Sequence, residues 1–411
     1  MRLKGMVALF ALAVTACARP ASDAITFSTW GSIEEIETLK PLLADFEREN
    51  PDVKVKLIHI PDEYPHKIRL LAASGTMPDV LFMESQTLSG FAHRGVLRDM
   101  GEWLERDPEL KRGDFYRPVL DAMSWKGTLY GIPRDLSNLV IFYNKRLFDT
   151  AGVAYPQAGW TYETMVEKAK RLTQGDRQFG IGFAPYPLYW LPYLWSDGGD
   201  VMDAEMRRST LLEPQSLAAM QRYLDLRAKH HVAPTEAQVG NARMSQLFAQ
   251  GKLAMMVGGR WVVPGFRKKL DFPWDVAPFP RGKTGSVVDA DASGWSIAKS
   301  SKQPEKAWRL VRYLASKKSI AAFTESGLIV PSRPDVANSP AFLGSGPPAS
   351  SKVFLDVITS ARPTRTPPSY DEIQYELIDG LPPAWNGEAD LLETLRPISA
   401  RIDALLKEDA P

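Results

Sequence analysis

Between residues 25 and 83 the chain changes its hydrophobic period four times, and that rhythm restricts the fold more than any other feature. Ile25-Thr-Phe-Ser-Thr-Trp30 reads as a strand ending in a turn at Gly31. Ser32, with Glu35 three residues on, reads as a capping box, and Ile36, Leu39, Leu42, Leu43 and Phe46 give the helix that follows one apolar face. Asn50-Pro51 stops it, and Val53 to Leu57 alternates as a strand. A second helix over about 64–74 ends at Gly75, and Asp79-Val-Leu-Phe-Met83 is a buried-type strand. A β-α-β-α-β order argues for a parallel sheet with helices on both faces.

The alternation resumes further on. Asn138 to Tyr143 reads as a strand, Thr161 to Leu172 as a capped helix, and Gly251 to Val257 as another strand. Pro214 opens a long helix, Gly258-Gly259 lead into a helix start at Arg260-Trp261, and Pro304 begins a helix reaching about Leu314. Residues 331–350, rich in Pro, Ser and Gly, read as a surface loop or a short helix pair. Roughly 390 residues after the N-terminal segment exceed what one core serves, so two lobes are expected. Trp103, Trp125, Trp308 and Trp385 sit in helix-like or apolar contexts and are assigned to cores.

The N-terminus reads as an export signal. Arg2 and Lys4 precede the apolar run Met6–Val14, which is too short to span a bilayer. Val14-Thr15-Ala16-Cys17 resembles a lipobox, in which Cys17 becomes a lipid-bearing N-terminus. The alternative is plain cleavage at the Ala16-Cys17-Ala18 site. Cys17 is the sole cysteine, so it has no disulfide partner in the chain. A lipid there would hold the protein at a membrane surface, periplasmic or outward-facing, as its one membrane contact.

Losing Arg2 and Lys4 leaves 48 basic against 49 acidic side chains, a balance that offers no field for nucleic acid. His59, His66, His93, His230 and His231 form no zinc motif, and no nucleophile elbow occurs, so no metal, cofactor or catalytic residue is assigned. Gly282-Lys283-Thr284 looks like the end of a phosphate loop, but Ala277 stands where its first glycine is required.

Several segments resemble the family 1 bacterial extracellular solute-binding proteins, which deliver sugars to ABC importers. They are Gly75-Thr-Met-Pro-Asp79, Leu129-Tyr-Gly-Ile-Pro133-Arg-Asp135, Leu139 to Lys145, Trp160-Thr-Tyr-Glu, Phe248-Ala-Gln-Gly-Lys252, Trp274 to Pro280, and Gly327-Leu-Ile-Val-Pro331. The resemblance implies an α/β, two-lobed periplasmic-binding-protein fold of type II, each lobe a mixed, mainly parallel sheet flanked by helices. It implies crossings near 130–133, 280–287 and 329–331. The expected division is a signal peptide over 1–16, a lipidated tether over 17–24, one lobe from 25–131 plus 286–329, and the other from 132–285 plus 330–411.

In doubly wound sheets, ligands sit beyond the C-terminal ends of strands. That rule selects Gly31, Ser32, Glu84, Ser85, Gly259, Arg260, Trp261, Gly294 and Trp295. Glu84 suits paired sugar hydroxyls, and Trp261 and Trp295, which follow glycine turns, suit the apolar face of a pyranose. Gly258-Gly259 would let backbone N–H groups approach a ligand oxygen. The resemblance adds Arg134 and Asp135 at the first crossing, and Trp190 and Trp195 in an aromatic segment of the second lobe. Arg333, Arg365 and Tyr370 complete the candidates. Each has a structural alternative: core packing for the tryptophans, an ion pair for Arg134-Asp135, a tight turn for the glycines. The implied function is non-enzymatic capture of a small oligosaccharide, maltose or trehalose being favoured, by a monomer that hands it to a membrane permease. A glycerol-phosphate or phosphodiester binder, gripping through Arg134, Arg260 and Arg365, is the alternative within the family. A secreted glycoside-processing enzyme using Glu84 and Asp135 is the alternative outside it.

Overall fold

The computed structural model describes residues 24–240, 242–344 and 346–409, so the signal segment and Cys17 lie outside the described residues. Among the described residues there are eleven strands: β1 (Ala24–Thr29), β2 (Lys54–His59), β3 (Val80–Glu84), β4 (Ser124–Trp125), β5 (Thr128–Leu129), β6 (Ile132–Ser137), β7 (Val140–Asn144), β8 (Met255–Gly258), β9 (Trp274–Ala277), β10 (Asp291–Ile297) and β11 (Val330–Pro331). They form a six-stranded sheet in the order β11-β6-β10-β3-β1-β2, a three-stranded sheet β8-β7-β9, and the small β4-β5 hairpin.

The opening β-α-β-α-β rhythm folds as its pattern demands, with β1 parallel to both β2 and β3. Ser32 caps the helix Ile33–Glu49 by accepting from the Glu35 N–H at 3.3 Å. The return half of the expected capping box is missing, because the Glu35 carboxylate is bonded to the Arg134 guanidinium instead. A charge-assisted bond to a buried cation outcompetes a neutral backbone N–H.

The expectation of mainly parallel sheets is corrected. β10 is antiparallel to β3 and to β6, β11 is antiparallel to β6, and the second sheet is antiparallel throughout. β10 enters the first sheet directly from the second, after β9, rather than over a helix covering its own sheet, so nothing forces it parallel to its neighbours. Sheet membership also moves the boundaries. Ile132 and Pro133, expected at a crossing, pair with Trp295 and Gly294 inside the first sheet, as does β11 with β6. The chain passes between sheets at Asn138–Leu139, just after β6. Two further stretches, around 288–290 and 361–362, lie side by side: Ala290 N–H donates to the Arg362 carbonyl at 2.8 Å and Arg362 N–H to the Val288 carbonyl at 2.9 Å. The Pro- and Ser-rich stretch resolves as the short helices Pro334–Ala337 and Pro340–Leu343.

Trp295 is a core residue. Its side chain is 1% exposed, it pairs across the sheet with Phe82 and Ile132, and its ring centroid lies 6.2 Å from that of Phe323. The small residues before it pack against neighbours rather than opening space. A side chain on Gly294 would come within 2.1 Å of the Ile132 carbonyl oxygen, at the bulge where β10 shifts register on β6. Trp295→Ala is expected to lower stability by about 3–5 kcal/mol, seen as a large shift in a thermal or urea melt.

Candidate functional site

The strand ends of the six-stranded sheet gather a row of acids. Ser293 on β10 stands opposite Glu84 on β3 and opposite Asp135 on β6, so these three side chains lie in one cross-strand row on the same face. The Ser293 hydroxyl donates to Asp135 Oδ1 at 2.7 Å. Arg134 Nε donates to Asp135 Oδ2 at 2.8 Å, and Arg134 Nη1 donates to Glu35. Its guanidinium is buried over the ring of Phe82 at 4.7 Å. Burial opposes its charge, but the carboxylates of Asp135 and Glu35 outweigh burial and hold Arg134 protonated, above its ordinary range. Gly31 accommodates this group: at φ +120°, its missing Cβ would stand 2.3 Å from the Glu35 carboxylate.

Glu84 differs from its neighbours. It is half-buried, and no described group hydrogen-bonds to its carboxylate. Burial first, then repulsion from Asp135, Asp291 and Asp371, pushes it up to about 7. Ser85 is committed to structure, its hydroxyl accepting from Ala292 N–H at 3.1 Å.

Asp291 links this row to the C-terminal segment. It accepts from Gln86 Nε2 at 2.7 Å, from Thr364 N–H at 3.0 Å and from the Thr364 hydroxyl at 2.8 Å. Beyond Thr364, Arg365 pairs with Asp200, as does Arg362. Asp200 also accepts from Trp195 Nε1 at 3.0 Å, and the Arg362 guanidinium lies over the Trp195 ring at 4.4 Å. Trp195, Arg365 and the buried Tyr370 surround a pocket of about 10 Å³, room for one water.

The remaining candidates divide by exposure. Trp190 is 1% exposed, donates Nε1 to the Pro185 carbonyl and packs on Trp385, so it belongs to the second core. Arg333 is buried against Asp335, Asp114 and the Phe115 ring, well inside the first lobe. Arg260 is buried over Phe342 at 4.2 Å and donates to the Ser351 hydroxyl, and burial pushes it down to about 9. Trp261, at the end of β8, keeps 37% of its surface exposed. Its ring fills the space a Gly259 side chain would need, 1.8 Å from that Cβ position, so Gly259 serves the ring rather than a ligand oxygen.

The exposed rings of Trp30 and Tyr186 were not among the candidates. Trp30 (38%) closes β1 beside β3, and Tyr186 (39%) stands within electrostatic reach of Glu84, its hydroxyl bonded to Gln374 at 3.4 Å. Trp30 satisfies the strand-end rule that selected Gly31. Asp291 also had a cue, since acids two apart on one strand face, Asp289 and Asp291, are unusual in a buried strand.

A family model described as bacterial extracellular solute-binding protein matches residues 30–321. The chain belongs to this family. Membership of an extracellular family makes it an exported protein. The galactooligosaccharide-binding protein of Bacillus subtilis is 22% identical, over 95% of this chain and 93% of its own. Among solved structures, an ABC substrate-binding protein from Listeria monocytogenes in complex with cycloalternan has a TM-score of 0.88 at 23% identity, covering 93% of this chain and 99% of that one. A Mycobacterium tuberculosis protein in complex with glycerophosphocholine has a TM-score of 0.83 at 21% identity, covering 94% and 99%. These likenesses give the two-lobed solute-binding fold.

Asp289 sits fully buried where the connecting segments meet, accepting from the Ser137 hydroxyl at 3.0 Å. Burial, then the Asp291 charge, pushes it up to about 7 from an ordinary 3.8. The folded chain therefore holds a proton that the unfolded chain has lost, and the stability this confers declines as pH rises toward 7. Asp289→Asn removes that decline. Its melting temperature is expected to exceed that of the native chain by more at pH 8 than at pH 5, by at least a few degrees.

Proposed function

We propose that this solute-binding protein is the sugar-capturing component of an ABC importer, taking a small oligosaccharide between its lobes and presenting it to a membrane permease. A disaccharide of the maltose or trehalose type is the favoured ligand, and Cys17 is the proposed lipid anchor. The reading rests on Glu84, a strand-end acceptor with no hydrogen-bond partner among the described residues, with the exposed Tyr186 within electrostatic reach, the exposed Trp30 at the end of the adjoining strand, and the exposed Trp261 on the second lobe. Leaving a half-buried carboxylate unbonded is costly, and adjacent sugar hydroxyls would supply the missing donors while the rings cover apolar sugar faces. The named ligands of the relatives, galactooligosaccharide and cycloalternan among them, are of this chemistry. No chemical step is assigned to the chain.

The phosphodiester alternative has a structural neighbour in its favour. The cations it would need are engaged, however: Arg134 by Glu35 and Asp135, Arg365 by Asp200, and Arg260 by Ser351 and two phenylalanine rings. An anion beside Glu84, Asp135 and Asp291 would meet like charge.

Calorimetric titration of maltose, trehalose, malto-oligosaccharides and glycerophosphodiesters against the delipidated protein tests the reading. For the sugar that binds, Glu84→Gln is expected to weaken affinity at least tenfold, the scale of a lost charge-assisted bond. Native affinity should rise as pH climbs through about 7 and Glu84 ionises, whereas Glu84→Gln should be flat there. Unchanged affinity in Glu84→Gln would remove Glu84 from the site, and binding of the glycerophosphodiester alone would reverse the choice of ligand.

A further inference from the structure

The segment from Gly259 to Lys269 belongs to the second lobe at both of its structural anchors. It leaves β8, and the helix Val263–Lys269 buries Phe266 against Phe142, Phe248 and Trp274 of that lobe's core. Its last turn nevertheless reaches the first lobe twice. Lys268 Nζ lies 3.3 Å from Glu37 Oε2 on the helix Ile33–Glu49, which follows β1. Arg267 Nη1 donates to the Glu325 carbonyl at 3.2 Å, at the end of the helix Lys317–Glu325 that packs on Ile33–Glu49.

The approach is built into the backbone. Gly327 has φ +87°, and a Cβ there would stand 2.6 Å from Arg267 Nη1 and 2.9 Å from Val263 Cγ1. Only a glycine lets the guanidinium pass at this point. The sign of the charges is consistent along the contact: Arg267, Lys268 and Lys269 on one side, Glu34 and Glu37 on the other. The same short segment begins with the exposed Trp261 ring. One element thus carries an open ring at its start and the bonds between lobes at its end.

We infer that this segment is an electrostatic latch: the Lys268–Glu37 pair, with Arg267 on the Glu325 carbonyl, biases the two lobes toward the closed arrangement before any ligand arrives. The inference builds on the two-lobed solute-binding reading but needs no particular ligand. Glu37 and Lys268 keep 61% and 58% of their side-chain surface in water, so the pair shifts the open–closed equilibrium modestly, by about two- to fivefold, and yields to salt. A modest bias lets a ligand complete closure and a permease undo it.

The test uses the full chain without ligand, in a Cys17→Ser background, with spin labels on cysteines replacing the exposed Lys302 of the first lobe and Lys170 of the second. Interlobe distance distributions are compared at 20 mM and 500 mM salt as probe conditions chosen to bracket about a 10 Å screening length. The expected result is a short-distance population that shrinks two- to fivefold in Lys268→Glu or at high salt, and returns in the swap Glu37→Lys with Lys268→Glu. Both positions are exposed, and circular dichroism melts establish that the variants fold. Distributions unchanged in Lys268→Glu, or a swap that fails to restore the native population, would overturn the latch. Neither outcome bears on the sugar, which the calorimetric titrations decide separately.

Discussion

The strand-end face of the first lobe hangs on one buried guanidinium. Arg134 comes from β6, Glu35 from the first turn of the helix after β1, and Asp135 and Ser293 complete the set from β6 and β10. A cation at this depth is tolerable only with its carboxylates in place, and the carboxylates only with it. The result ties the first helix to the centre of the sheet. It also decides which acids remain available: Glu35 and Asp135 are satisfied, and Glu84, one strand further along, is left to find donors elsewhere. The open chemistry of the site is thus a remainder, defined by what the neighbouring ion network has already consumed.

That remainder explains why exposure separates the tryptophans so cleanly. Trp190 and Trp195, within the helix Pro187–Ser196, and Trp295, within β10, are each closed over by the lobe they belong to, Trp195 by its bond to Asp200 and the Arg362 guanidinium above it. Trp30 and Trp261 are held by their bases only, Trp30 by Phe82 and Trp261 by the gap at Gly259. A ring fixed on one side and open on the other is the form a sugar-stacking surface requires.

The alternating periods over 25–83 made the first three strands and two helices legible, because local apolar spacing alone selects them. Strand direction was not legible: nothing in Asp291–Ile297 says that it will enter between β3 and β6 against the direction of β3. The strand-end rule pointed to Glu84 and Trp261, which the fold leaves without a described hydrogen-bond partner and partly exposed, respectively. It failed at Trp295 because the end of a strand, read from sequence, was set by the polar run before it, whereas β10 continues to Ile297. Arg333 and Arg260 were misplaced for a different reason. Whether an arginine meets a ligand or a carboxylate depends on partners far along the chain, such as Asp114 for Arg333, and no local pattern encodes them.

The position of β10 has a kinetic side. The first sheet is interrupted in sequence, with β10 wedged between β3 and β6 although some 200 residues of chain separate it from β3. Until that late strand arrives, β3 and β6 present bare edges to each other, and the Arg134 network lacks Ser293. Closing so long a loop before its contacts form makes assembly of this sheet slow, and the first half of the chain cannot finish folding on its own. For an exported chain, such a delay leaves the first sheet open for longer before β10 locks it.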